Sequence, residues 1–261
     1  MSTQPGYHFI SLHTRYSSWG SRVEAVLEYF QIPYTTKKIA VEDIPSHSPS
    51  GLVPILSSTS LGITVTDSLA IVEFLAEQNP QLNLWPRDPA LRALARSAVA
   101  DMHSGFPVLR GTFHTNFVAK YTGNIPFSEA ARREVQRVLR TWDLARKAAR
   151  ERLGEKGDEG FLFGGFSIAD AFFWPVLWRF RTYNLPLDDA SPEVLKWLEK
   201  MWNDPKIKKL IHGYYRQLED PTTRVEKYDR NFEEYEVKLE VFPEDWEFTQ
   251  NAGKADGLVG W

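Results

Sequence analysis

The 261-residue chain contains no cysteine. That absence excludes disulfides, a protein thiolate nucleophile, and thiolate-ligated zinc or iron–sulfur centres. It also sets a chemical condition: any thiol chemistry here must use a sulfur that arrives with a ligand. A cysteine-free chain fits a cytoplasmic setting. An excess of positive charge is missing too, with 31 Lys and Arg against 34 Asp and Glu, so neither nucleic acid nor an anionic membrane surface is an expected partner. No apolar run approaches the roughly 18 residues of a spanning helix. The opening MSTQPGYHFI lacks the basic-then-apolar pattern of a secretory leader. The 6 His show no metal-ligand spacing, so no metal is expected. Neither G-x-S-x-G, nor a phosphate-cradling glycine loop, nor a dinucleotide fingerprint occurs. Acidic residues are plentiful, but on helical patterns they read as solvated faces rather than as a paired-carboxylate hydrolase site.

What is present divides in two. Tyr7 to Leu12 reads as a short strand, and Ser18 to Gln31 carries Val23, Val26, Leu27 and Phe30 at helical spacing. Tyr34 to Ile39 is aromatic and β-branched, a second strand. After the polar loop VEDIPSHSPSG, Val53 to Ser57 and Ile63 to Thr66 read as two strands joined by a turn, and Asp67 to Gln78 as a helix. The order is β-α-β-β-β-α, a βαβ unit followed by a hairpin. Asn79 to Pro89, with three prolines, is the best linker. Beyond it the patterns are helical: Ala90 to about Tyr121 with a bend near Gly105–Pro107, Ser128 to Leu153, Ser167 to about Tyr183, Ser191 to Asn203, and Pro205 to Leu218. We therefore expect an α/β domain over 1–80, an all-helical domain over 90–218, and an acidic, aromatic extension over 219–261. That extension is expected to pack along the surface and to end in a loose tail, AGKADGLVGW.

Three stretches are candidates for chemistry, and a fourth is structural. Ser17 and Ser18 stand where a helix begins. Either one of them caps the helix and does nothing more, or the exposed amides and partial positive charge there receive an anion, including a thiolate. Val53-Pro54 opens a strand either as an ordinary trans peptide or as a cis peptide leaving Val53 free to pair with an extended ligand. Thr66-Asp67-Ser68 is a good N-cap. Ser68 and the helix amides also suit a carboxylate, and Asp67 an ammonium. Ser167-Ile-Ala-Asp170 has capping-box spacing, a structural device.

Taken together, these stretches resemble the cytosolic glutathione transferase superfamily from about Tyr7 to Leu218. YSSWGSRV resembles its serine-type active-site turn, including the SSxxxRV form of the zeta class. SPSGLVPIL resembles its cis-proline loop, TVTDSLAIVEFLAEQNP its γ-glutamyl segment, and FSIADAF its helical-domain capping motif. LWPRDPALRALARSAVADMHSGFPVLR is similar to a microbial subgroup sharing MHSGFxxLR. The resemblance implies a thioredoxin-like N-terminal domain, a helical-bundle C-terminal domain and a homodimer.

It also implies that the missing thiol is that of glutathione, as substrate or cosubstrate. Ser17 would donate to the sulfur, with Ser18 as second choice. Val53 would bond the cysteinyl backbone, Pro54 set the turn, and Asp67 and Ser68 hold the γ-glutamyl end. Trp19, Met102, His103, Phe106, Phe113 and Trp174 would wall a second-substrate site for a small hydrophobic electrophile or a polyene, and His103 and Arg110 would alternatively meet an anionic group. Gly51 and Leu52 stand where relatives commonly carry Lys or Gln for the glycyl carboxylate, leaving His47, Lys37 or Lys38 as substitutes. Three activities follow from the resemblance: conjugation to an electrophile, glutathione-dependent cis/trans isomerisation of a conjugated double bond, and ligand binding without turnover.

Overall fold

The computed structural model describes residues 6–48, 50–246 and 248. Its first half is a four-stranded sheet in the order β2-β1-β3-β4. Strand β1 (Tyr7–Ser11) leads into helix α1 (Ser18–Tyr29), which crosses to the parallel strand β2 (Tyr34–Lys38). A 3₁₀ turn and the one-turn helix α2 (Ile44–His47) follow within the polar loop, where the sequence gives no helical period. Strands β3 (Ile55–Ser58) and β4 (Ile63–Thr66) form the hairpin, with β3 antiparallel to β1, and helix α3 (Ser68–Gln78) completes the unit. The helices belong here because their apolar stripes have somewhere to go. Val23, Val26 and Leu27 of α1 and Ile71, Val72 and Leu75 of α3 are fully enclosed in one core with Phe9 and Leu56 of the sheet. This is the thioredoxin-like arrangement.

The second half is helical: α4 (Pro89–Ser104), α5 (Pro107–Thr112), α6 (Glu129–Gly157), α7 (Ile168–Tyr183), α8 (Pro192–Asn203), α9 (Pro205–Arg216) and the one-turn α10 (Glu226–Asp229). Every residue of α7 is buried, so it is the central helix. It packs against both α4 and α1, tying the halves together. The linker reinforces that joint, because the Ile168 amide donates to the Leu84 carbonyl at 2.9 Å.

The structure corrects the sequence reading after residue 104. Instead of one bent helix to Tyr121, α4 ends at Ser104, Phe106 takes a left-handed conformation (φ 57°), and α5 ends at Thr112. Residues 119–123 then form strand β5 (Ala119–Gly123), antiparallel to β6 (Val237–Val241) in the C-terminal extension. The bend is a break because Phe106 points the chain in a new direction and Pro107 cannot supply the amide to continue α4. The extension does more than lie on the surface. Phe232 is buried, and Phe248 packs on Trp202 at 4.5 Å. The expected tail AGKADGLVGW lies outside the described residues.

Candidate active site

The turn before α1 is shaped by three small residues. Ser17 is the N-cap in extended conformation, and its Oγ accepts the Gly20 amide at 3.1 Å. Gly20 must be glycine here, since a Cβ would stand 2.0 Å from Ser11 Oγ of β1 and 3.1 Å from Ser17 Oγ. Ser18 is the first helical residue, and its carbonyl accepts the Ser21 hydroxyl. A hydroxyl has one hydrogen and two lone pairs. The cap bond occupies a lone pair of Ser17 and leaves its hydrogen without an acceptor among the described residues.

Both serines line a cavity of about 470 Å³ between the two halves of the molecule. Its sheet-side wall holds Trp19, Leu52 and Val53; its helical wall holds Arg110 of α5, His114 and Arg179 of α7; Tyr228 of α10 closes one side. Tyr228 stacks on Tyr16 at 5.6 Å, so the C-terminal extension contributes directly to the wall. The Val53–Pro54 peptide is cis. Val53 makes no backbone hydrogen bond among the described residues, while Leu52 is 69% exposed at the rim.

Asp67 and Ser68 stand at the start of α3, outside this cavity. Asp67 adopts φ 76°, ψ 133°, an uncommon conformation for a non-glycine residue. Its carboxylate holds that shape by accepting the Leu69 and Ala70 amides at 2.8 and 3.2 Å. Its second oxygen lies 3.2 Å from His103 Nε2. Ser68 Oγ is buried without a partner among the described residues. His103 meets the Trp19 ring edge-on at 5.2 Å, which links the α3 terminus to the cavity wall.

The remaining expected wall residues separate. Trp19 and Arg110 are at the cavity. Met102, Phe106, Phe113 and Trp174 are fully enclosed in the core instead: Phe113 packs on Tyr183, and Trp174 stacks on Phe117 while its indole N–H donates to the Ser21 carbonyl of α1 at 3.3 Å. Among the substitutes for a glycyl-carboxylate contact, Lys38 is paired with Glu24 at 2.8 Å, whereas Lys37 and His47 meet each other at 3.0 Å on an exposed surface.

Sequence reasoning missed Tyr16, His114, Arg179 and Tyr228. One signal was available for Arg179: it sits in FFWPVLWRFRTY, a run too apolar to leave a charge on a solvated face. Burial lowers the Arg179 guanidinium to about 10, with the Arg110 charge contributing. Burial, then the charges of Arg179 and Lys227, also lowers His114, which favours the neutral ring near neutrality. The arrangement thus offers a capped helix opening, a spare hydroxyl hydrogen, a free peptide edge at Val53, and cationic groups across the gap.

Two family models match the chain: the glutathione S-transferase N-terminal domain over residues 16–78 and its C-terminal domain over residues 126–200. Pyrimidodiazepine synthase of Drosophila melanogaster is 31% identical over 210 residues, covering 74% of this chain and 76% of that protein. A probable maleylacetoacetate isomerase of Caenorhabditis elegans is 33% identical over 96 residues, 35% of this chain and 44% of that one. Among solved structures, Ure2p in complex with glutathione superposes with a TM-score of 0.60 at 23% identity, covering 82% of this chain and 96% of that chain. With its sheet half and its helical half each matched, in order, by the corresponding domain, the chain belongs to the glutathione S-transferase family.

Proposed function

We propose that the chain binds glutathione with its sulfur at the opening of α1, and that Ser17 holds the sulfur as thiolate for attack on an electrophile in the interdomain cavity. The observation that carries this reading is the Ser17 hydroxyl, which caps Gly20 through its oxygen and keeps its hydrogen for the cavity it lines. A free thiol titrates near about 8.5, and lowering it by about two units requires roughly 2.7 kcal/mol of preference for the anion. A helix N-terminus and one charge-assisted hydroxyl bond are together of that size. Val53 then pairs with the cysteinyl backbone beside the cis peptide. Asp67, held out of the helical conformation at the α3 terminus, receives the γ-glutamyl ammonium, and Ser68, whose hydroxyl has no partner among the described residues, takes its carboxylate. In the transfer step, a sulfur lone pair forms the new S–C bond. The displaced pair leaves with the departing group, or moves into an enolate that water protonates. That glutathione occupies Ure2p, a neighbour of the same fold, supports the ligand.

The reading is tested by the ultraviolet absorbance of bound thiolate as a function of pH. Wild type is expected to develop the band well below the free-thiol midpoint, and Ser17→Ala to shift it upward by about one unit or more. An unchanged midpoint removes Ser17 from the chemistry. A second reading, thiolate addition followed by rotation and loss of the thiol, is favoured by the relative named a probable maleylacetoacetate isomerase. Product mass separates the two, because a conjugate gains glutathione and an isomer does not. Cytoplasmic residence and a homodimer belong to the same proposal; sedimentation of the purified chain tests the dimer.

A further inference from the structure

The cavity wall facing Ser17 carries guanidinium groups that form no ion pair among the described residues. Arg110 and Arg179 both line it, and no acidic side chain does so among the described residues. Arg22, on α1 one turn beyond Ser18, is fully enclosed. Its Nε donates to the Phe172 carbonyl at 2.9 Å, but Nη1 and Nη2 have no partner among the described residues. Arg22 and Arg110 both pack on the Trp19 ring, at 4.3 and 5.0 Å. Arg179 uses Nε and Nη1 on the carbonyls of Phe113 and Pro175, at 2.7 and 2.6 Å. Its Nη2 makes no hydrogen bond among the described residues. The charge of Glu134 partly offsets the effect of burial at Arg110, but its carboxylate is taken by the Leu109 amide at 2.7 Å and forms no ion pair with Arg110 among the described residues. Burial lowers all three guanidinium groups, and the charge of Arg110 is among the causes at both Arg22 and Arg179, so the three share one field. Enclosing cations without a paired opposite charge is unfavourable, and a bound anion offsets that penalty.

We propose that the second substrate is an electrophile bearing a carboxylate, which Arg110 and Arg179 receive while Trp19 covers its apolar part and Arg22 deepens the positive field. This departs from a purely hydrophobic electrophile. It deepens the reaction proposed above and rests on it for the chemistry, though not for the binding.

The purified full chain is given glutathione with either a chloronitrobenzoate or its methyl ester. In both cases the sulfur bonds to the ring carbon and chloride leaves with the electron pair. Wild type is expected to prefer the acid in kcat/KM, although the ester activates the ring more. Arg110→Gln is expected to lower the acid-to-ester ratio by about tenfold or more, the size of a charged hydrogen bond, by raising KM for the acid with KM for glutathione within about twofold. Preference for the ester by wild type, or a raised glutathione KM with an unchanged ratio, overturns the proposal; the second result assigns the arginines to a carboxylate of glutathione itself. Calorimetric titration with unreactive nitrobenzoate against its methyl ester needs neither turnover nor a variant. Selective binding of the anion that weakens with salt supports the proposal, and equal binding of the two overturns it. Should glutathione fail to bind, the reaction reading falls while this titration still decides the substrate class.

Discussion

Helices α1 and α7 both begin on a capping serine, and the two caps are completed differently. At α7, Ser167 Oγ accepts the Ala169 amide and donates its hydrogen to Asp170, three residues on. Asp170 in turn accepts the Ser167 and Leu162 amides and the Trp197 indole N–H, at 2.9 to 3.0 Å. At α1, the residue three past the cap is Gly20, and the first turn contains no acid. An acid there is excluded by Ser11, since even a Cβ would collide. It would also engage the Ser17 hydrogen and raise, not lower, the pKa of a neighbouring thiol. The same residue type therefore closes one helix completely and leaves the other unfinished, and the unfinished one opens on the cavity. The presence of a serine cap does not distinguish structure from chemistry; the hydrogen-bonding capacity left over does.

Five variants break or sharpen that contrast. Asp170→Ala should cost the most, roughly 3 kcal/mol in urea unfolding, because several buried donors lose their acceptor together. The same carboxyl leaves a pH signature. Burial raises it from 3.8 to about 6, so within that window the folded chain holds a proton that the unfolded chain has released. Its contribution to stability declines as pH rises through the window and is level above it. Asp170→Asn should abolish that slope, and an unaltered slope would place the titration elsewhere.

Ser17→Ala should do the reverse of Asp170→Ala. Turnover with glutathione falls by about a hundredfold, the scale of one lost anion donor, while folding loses about 1 kcal/mol or less. Full activity with a large stability loss would make the two caps equivalent. A smaller change is expected at the third helix start. Asp67→Asn keeps an acceptor for the Leu69 and Ala70 amides and tolerates positive φ, so the fold survives while KM for glutathione rises about fivefold to tenfold. Ser18→Ala should change least, within about 0.5 kcal/mol in stability and with near-native turnover. If it silences the protein while Ser17→Ala does not, the sulfur sits one residue further along.

These contrasts explain what the sequence disclosed. The strand–helix order over 7–78 was legible because each element carries its own period and cap, and the hairpin connects neighbours in sequence. Ser167 and Asp170 were legible for the same reason. By contrast, the β5–β6 pair joins Tyr121 to Leu239, and the short AKYTG segment shows no alternation strong enough to announce a partner so distant. The left-handed Phe106 was hidden as well, since a bulky residue rarely takes that conformation. In the site, the serine turn and the Val53–Pro54 segment were visible as motifs. The arginines were not grouped in advance, because Arg22, Arg110 and Arg179 lie on three different helices and meet only after folding.

The stacking of Tyr228 on Tyr16 has a consequence for how the molecule comes into being. A chain emerging from the ribosome folds its amino-terminal part first, so the serine turn exists long before the residue that walls it in. The cavity is finished only once Tyr228 has been made, and a message cut short ahead of α10 would yield a protein with its serine turn in place and one side of the cavity missing.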